Sequence, residues 1–166
     1  MEKNPDLIKR GDWDVSFKTT GLGLVDSVKP DLKYTLDDIK AGSTGKLILG
    51  ERFVGLTGTI KVVVRQITTE MLQAVMPWYP SLTPPLNADL YAAAGPLVLH
   101  PSYLPASDVT QDQTLVKAVP ISAYNLARDG EKDDAFEVTF NIYPDRASLL
   151  AAEPVLTYGR VGAPTA

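Results

Sequence analysis

The stretch AFEVTFNIY, Ala135–Tyr143, decides the fold class. Phe136, Val138, Phe140 and Ile142 alternate with Glu137, Thr139, Asn141 and Tyr143. Successive side chains of a strand point to opposite faces, so this period of two gives one apolar face and one mainly polar face. Phe, Val and Ile also suit a pleated, half-buried surface. The segment therefore reads as a strand with one side in a core. Toward the N-terminus, RDGEKDD (128–134) holds Asp129-Gly130, a common tight-turn pair. Before it, TLVKAVPISAYNL (114–126) reads as a second strand, with Leu115, Val119, Ile121 and Ala123 on one face. Pro120 cannot donate a ladder hydrogen bond, which places it at an edge or a bulge. Residues 114–143 thus read as a long hairpin with a charged tip.

The same period recurs earlier. In GTIKVVVRQI (58–67), Ile60, Val62 and Val64 face one way and Thr59, Lys61, Val63 and Arg65 the other. Shorter strand candidates are Trp13–Lys18, Gly23–Val28, Leu32–Leu36 and Lys46–Leu49, with AGSTGK (41–46) as a flexible loop. Gly42, Gly45, Gly50, Gly55 and Gly58 punctuate this region as turns and bulges do. Two short helices are expected. TTEMLQAVMPW (68–78) offers Thr69 as N-cap, Glu70 in the first turn, an apolar face of Met71, Leu72, Val75 and Met76, and Pro77 as a stop. PDRASLLAAEP (144–154) offers Asp145 as N-cap and Leu149, Leu150 and Ala152 as apolar positions. The fold class is mainly β, a sandwich or barrel with one or two short flanking helices. The 166 residues suit one domain.

From Pro77 to Pro105 the chain holds seven prolines and several aromatics, so regular structure should be interrupted there. Residues 77–112 read as a long connection packed on the domain or as an extension. In the second case Trp78, Tyr79, Tyr91 and Tyr103 would anchor a neighbouring subunit.

Chemistry is thinly represented. The absence of cysteine excludes disulfides, thiolate metal sites and cysteine nucleophiles. His100 stands alone, with no GxSxG or HExxH pattern beside it, and reads as structural or surface. The stretch TTGLGLVDSV (19–28) has Gly21 and Gly23, but a dinucleotide loop needs a third glycine where Asp26 stands, followed by a helix. The segment reads as a β-corner instead. Gly45-Lys46 lacks the Ser or Thr and the earlier glycine of a P-loop. Asp37-Asp38 and Asp133-Asp134 are sequence neighbours, suited to solvated turns rather than to a facing catalytic pair. No cofactor, metal site or enzymatic activity is expected. The net charge of −4 and a pI near 4.9 disfavour wrapping of nucleic acid, which needs clustered Lys and Arg. No apolar run approaches the roughly 20 residues of a membrane span, and the first residues lack a secretory apolar core. Synthesis and folding in the cytoplasm are the expectation.

The order of these features resembles the tail tube (major tail) proteins of tailed bacteriophages. The resemblance runs through TTGLGLVDSV, YTLDDIKAGSTGK, LGERFVGLTGTIKVVV, TTEMLQAVM, FEVTFNIYPD and LTYGRVG. It covers residues 13–76 and 114–162, and the Pro-rich stretch has no counterpart. It implies a non-catalytic virion protein, assembled in the host cytoplasm, that forms hexameric rings stacked into a hollow tube for DNA. Neighbouring subunits would pair their edge strands into one inner barrel. The lumen would be acidic and lined by Glu137, Thr139 and Asn141. The loop bearing Asp37, Asp38, Lys40, Ser43, Thr44 and Lys46 would reach the next ring, and its deletion should block stacking. Implied partners are further copies, other tail proteins and a sheath, with DNA passing unbound and no membrane involved. The alternatives are a neck terminator, a needle-tube homologue of a contractile secretion system, or a ligand-binding β-domain using the aromatic stretch as its platform.

Overall fold

The computed structural model describes residues 12–40, 48–123, 127–129, 132–145 and 158–162. Nine strands form among them: β1 Trp13–Phe17, β2 Thr20–Gly21, β3 Val25–Lys40, β4 Ile48–Val64, β5 Gly95–Pro101, β6 Gln113–Pro120, β7 Ala127–Asp129, β8 Lys132–Tyr143 and β9 Gly159–Val161. The sheet order is β2-β1-β5-β6-β8-β4-β3, with β7 on β8 and β9 on β6. Every pairing is antiparallel. One helix, α1, spans Thr69–Val75, and a short 3-10 turn spans Leu90–Ala93. The mainly β class with a short flanking helix is what the structure shows. The sheet curls enough for β1 to approach β3, yet among the described residues no ladder joins them, so it is not a closed barrel.

The core follows from the alternation in β8. Phe136, Val138, Phe140 and Ile142 are all buried, and their cross-strand neighbours Ile60, Val62 and Val64 of β4 are buried with them. Val15 and Phe17 of β1 and Leu97 and Leu99 of β5 extend the same face, where Phe17 and Phe140 meet at 5.1 Å between ring centroids. Helix α1 presents Met71, Leu72 and Val75 to this core, followed by Met76, as the apolar face predicts. Its N-cap is Thr68 rather than Thr69. The Thr68 hydroxyl accepts from the Met71 amide at 3.2 Å, which satisfies one of the unpaired donors of the first turn.

Three elements depart from the sequence expectation. The Pro-rich stretch contributes β5 to the middle of the sheet, between β1 and β6. Its prolines tolerate this because Pro101 ends the strand and Pro96 sits at a register shift between Gly95 and Leu97. The candidates Gly23–Val28 and Leu32–Leu36 are one strand, β3. Pro30 does not divide it, since β3 is the outermost strand and its free edge requires no donor there. Gly50, Gly55 and Gly58 lie inside β4 and mark no turn, though Gly55 and Gly50 sit at its register shifts, as the bulge reading expects. At Gly58 the need for glycine is steric: φ is +151°, and a Cβ would lie 2.1 Å from the Asp31 carbonyl oxygen. In the described residues the hairpin over 114–143 is present as β6, β7 and β8, but β6 ends at Pro120, beyond its ladder to β5, and Ile121 and Ala123 lie exposed past it instead of on its apolar face. The second helix, after Asp145, falls outside the described residues.

Candidate functional site

Among the described residues, no group of three or more His, Cys, Asp or Glu side chains could hold a metal ion. No helix there is long and apolar enough to cross a membrane. The arrangement that stands out is an unpartnered ribbon. Strand β8 covers β4 only over Thr59–Val64, whereas β3 pairs with β4 from Val25 to Lys40. From Leu32↔Gly58 to Lys40↔Ile48 the two strands therefore leave the sheet as a two-stranded arm. At the usual strand rise the arm extends roughly 25–30 Å.

The arm is amphipathic. Leu32, Tyr34 and Leu36 alternate along β3, and their partners across the ladder include Leu56 and Phe53. Tyr34 and Phe53 stack edge to face at 5.6 Å. Tyr34 is 74% exposed, with Leu36 and Phe53 about half exposed. Toward the tip Ile39, Ile48 and Leu49 are exposed as well, with Ile39 on the face of Asp37 and Asp38 on that of Leu36. The opposite face is polar: Arg52 Nη2 donates to Asp37 at 2.8 Å across the ladder. Register shifts at Thr35/Leu36 and Ile39/Lys40 re-aim the side chains along the arm. A two-stranded hairpin is marginally stable alone in water, and a cluster of exposed aromatic and aliphatic side chains marks an interaction surface. At the arm's root, Leu32, Tyr34 and Leu56 share a groove of about 490 Å³ with Tyr158 and Val161 of the β9 segment.

Glu137, Thr139 and Asn141 lie on the β8 face opposite the core, none of them buried. Lys61 Nζ donates to Glu137 at 3.1 Å, and the Asn141 amide lies 3.5 Å from the Tyr143 hydroxyl. Lys29 faces Lys61 across the ladder, and Lys117 faces Tyr143. With Asp31 and Glu137 beside them, this face is mixed in sign rather than acidic.

Asp37, Asp38 and Lys40 lie near the arm's tip, where Lys40 pairs with Asp38 at 3.9 Å. Ser43, Thr44 and Lys46 fall outside the described residues. Trp78 and Tyr79 pack against the core, so much of their apolar surface already has an intramolecular partner. Tyr91 is half-buried, donates to the Pro144 carbonyl at 3.2 Å and packs edge to face on Tyr143. Tyr103 is 40% exposed and donates to the Gln111 side chain. The structure does not gather these four aromatics into one patch. Sequence reading missed Tyr34, Leu36, Phe53 and Leu56; the alternation in LKYTL was visible, but it gives no sign that the strand leaves the sheet.

His100 is structural in setting. Its Nδ1 lies 2.6 Å from Asp112 Oδ1 and its Nε2 lies 3.3 Å from the Leu104 carbonyl oxygen. The class defined so far is an antiparallel sheet protein with one packed face and a projecting amphipathic arm.

No family model and no curated protein matches the chain. Among solved structures, it has a slight likeness to the Dit protein (gp 19.1) of phage SPP1, described as a hub of the adsorption apparatus in phages infecting Gram-positive hosts. Identity is 13% and the TM-score 0.34, over 78% of this chain and 49% of that one. The chain thus spans about half the length of that protein, at a level that does not establish a shared fold.

Proposed function

We propose that this protein is a structural subunit of a phage tail, and within the tail a tube subunit that self-associates into stacked, hexameric rings. The observation that carries the reading is the amphipathic arm, on which Tyr34, Leu36 and Phe53 stay about half exposed or more beyond the groove at its root. Covering Tyr34, Leu36, Phe53 and their neighbours would contribute on the order of 1 kcal/mol for each half-exposed side chain. The order of sequence features and the mainly β sheet with one short helix support the same reading. The reading assigns no catalysis. Mechanically, the arm supplies the contact between copies, edge strands pair around the ring, and the face bearing Glu137, Thr139 and Asn141 lines the channel. Other tail proteins and a sheath are its further partners, and the virion is its place.

Negative-stain microscopy of the purified full chain tests this. Stacked tubes are the expected result, and discrete rings that do not stack would move the protein to a neck or terminator role. A monomer that persists at high concentration would overturn the reading.

A further inference from the structure

His100 lies on β5, and both of its ring nitrogens face oxygen acceptors. The Asp112 carboxylate is on one side and the Leu104 carbonyl on the other. A neutral imidazole donates from one nitrogen only, so its other lone pair would confront an acceptor. Only the imidazolium satisfies both contacts. The pair is well enclosed, with side-chain exposures of 13% for His100 and 11% for Asp112.

The charged surroundings agree. Asp14 of β1 stands directly across the ladder from His100, and Asp108 of the 102–112 loop acts on it electrostatically. The Asp112 hydrogen bond holds the imidazole above its ordinary pKa. Partial burial opposes this, while the Leu104 carbonyl and the charges of Asp112 and Asp14 reinforce it.

Asp112 also reaches beyond the pair. Its backbone carbonyl accepts from the Gly162 amide at 2.9 Å, just past the end of β9. Strand β9 is itself held to β6 by a three-residue ladder, and this bond continues that pairing. The 102–112 loop is pinned by few other backbone bonds, among them Ser102 to Asp12 and Leu104 to Pro101.

We propose that His100 is a protonated latch, whose two charge-assisted hydrogen bonds fasten the 102–112 loop to the sheet. Loss of its proton removes one bond and weakens the other, which frees the loop. The latch belongs to the subunit itself and does not depend on the assembly reading.

The chain has a single histidine, so imidazole NMR of the uniformly labelled full chain reports on it without assignment ambiguity. The expected result is an imidazolium at neutral pH, titrating above the ordinary value of about 6.5. Asp112→Asn should lower that midpoint. Amide exchange at Leu104, whose amide donates to the Pro101 carbonyl within the latched loop, should accelerate above the midpoint once corrected for intrinsic rate. The gain is up to about tenfold for each unit separating the folded and unfolded midpoints. In His100→Gln the corrected exchange should be fast and independent of pH. A wild-type midpoint at or below the ordinary value overturns the latch, even if neither variant folds. So does a Leu104 exchange rate that ignores the titration.

Discussion

Gly21 and Gly23 look alike in sequence and differ in their demands on the backbone. Gly23 has φ +76°, and a Cβ there would lie 3.1 Å from the Gln66 Cβ. Gly21 has no such φ, and its Cβ would meet nothing within 4 Å. Gly23→Ala should therefore cost about 1–2 kcal/mol through the left-handed backbone alone. Gly21→Ala should cost less than about 0.5 kcal/mol. Urea unfolding of both variants checks this, and equal losses would refute the assignment of the corner to Gly23. The sequence marks the β-corner but not which glycine makes it, because φ is set by how the chain meets Gln66. The latch has its own sign. The folded pKa of His100 lies above its unfolded value, so its contribution is complete below about pH 6.5 and drains away as pH rises through the folded value.

At the scale of elements, the capping of α1 is open to a direct test. Thr68→Ala removes the acceptor for the Met71 amide and should cost about 1 kcal/mol, whereas Thr69→Ala should be nearly neutral. Thermal melts of the two variants separate them. The adjacent threonines cannot be told apart by residue type, since either suits an N-cap. Alternation made β8 legible, and the spacing of Met71, Leu72, Val75 and Met76 made α1 legible, because in both the local period equals the geometry. Strand β5 was hidden by Pro96 and Pro101, which are harmless only because of where the strand bends and ends. The continuity of β3 through Pro30 was hidden for a related reason: only the sheet order reveals that it is an edge.

For the whole molecule, the arm predicts a separation between folding and association. Tyr34→Ser with Phe53→Ser removes apolar surface that the subunit core does not use. The double variant should keep the fold by circular dichroism and lose assembly by light scattering. Assembly at wild-type concentrations would remove the arm from the interface. Such a contact was beyond the sequence alone. LKYTL predicts a strand with an apolar face, but a face pointing into a core and a face pointing into solvent have the same period. The His100–Asp112 pair was equally invisible, since it joins two segments through the sheet rather than through a motif.

The arm also gives the subunit two clocks. Its backbone bonds join only β3 to β4, with solvent on both faces beyond the groove at its root, while those of β8 lie between strands and over a packed core. Regions of low contact density open locally at little free-energy cost, and the core opens only with global unfolding. In the free subunit, ladder amides between Leu32 and Lys40 should exchange with deuterium orders of magnitude faster than those of Val138 and Phe140. In an assembly that covers the arm, the gap should narrow sharply. Uniform slow exchange in the free chain would show that the ribbon holds itself together. Otherwise the subunit carries a segment that becomes firmly structured only in company.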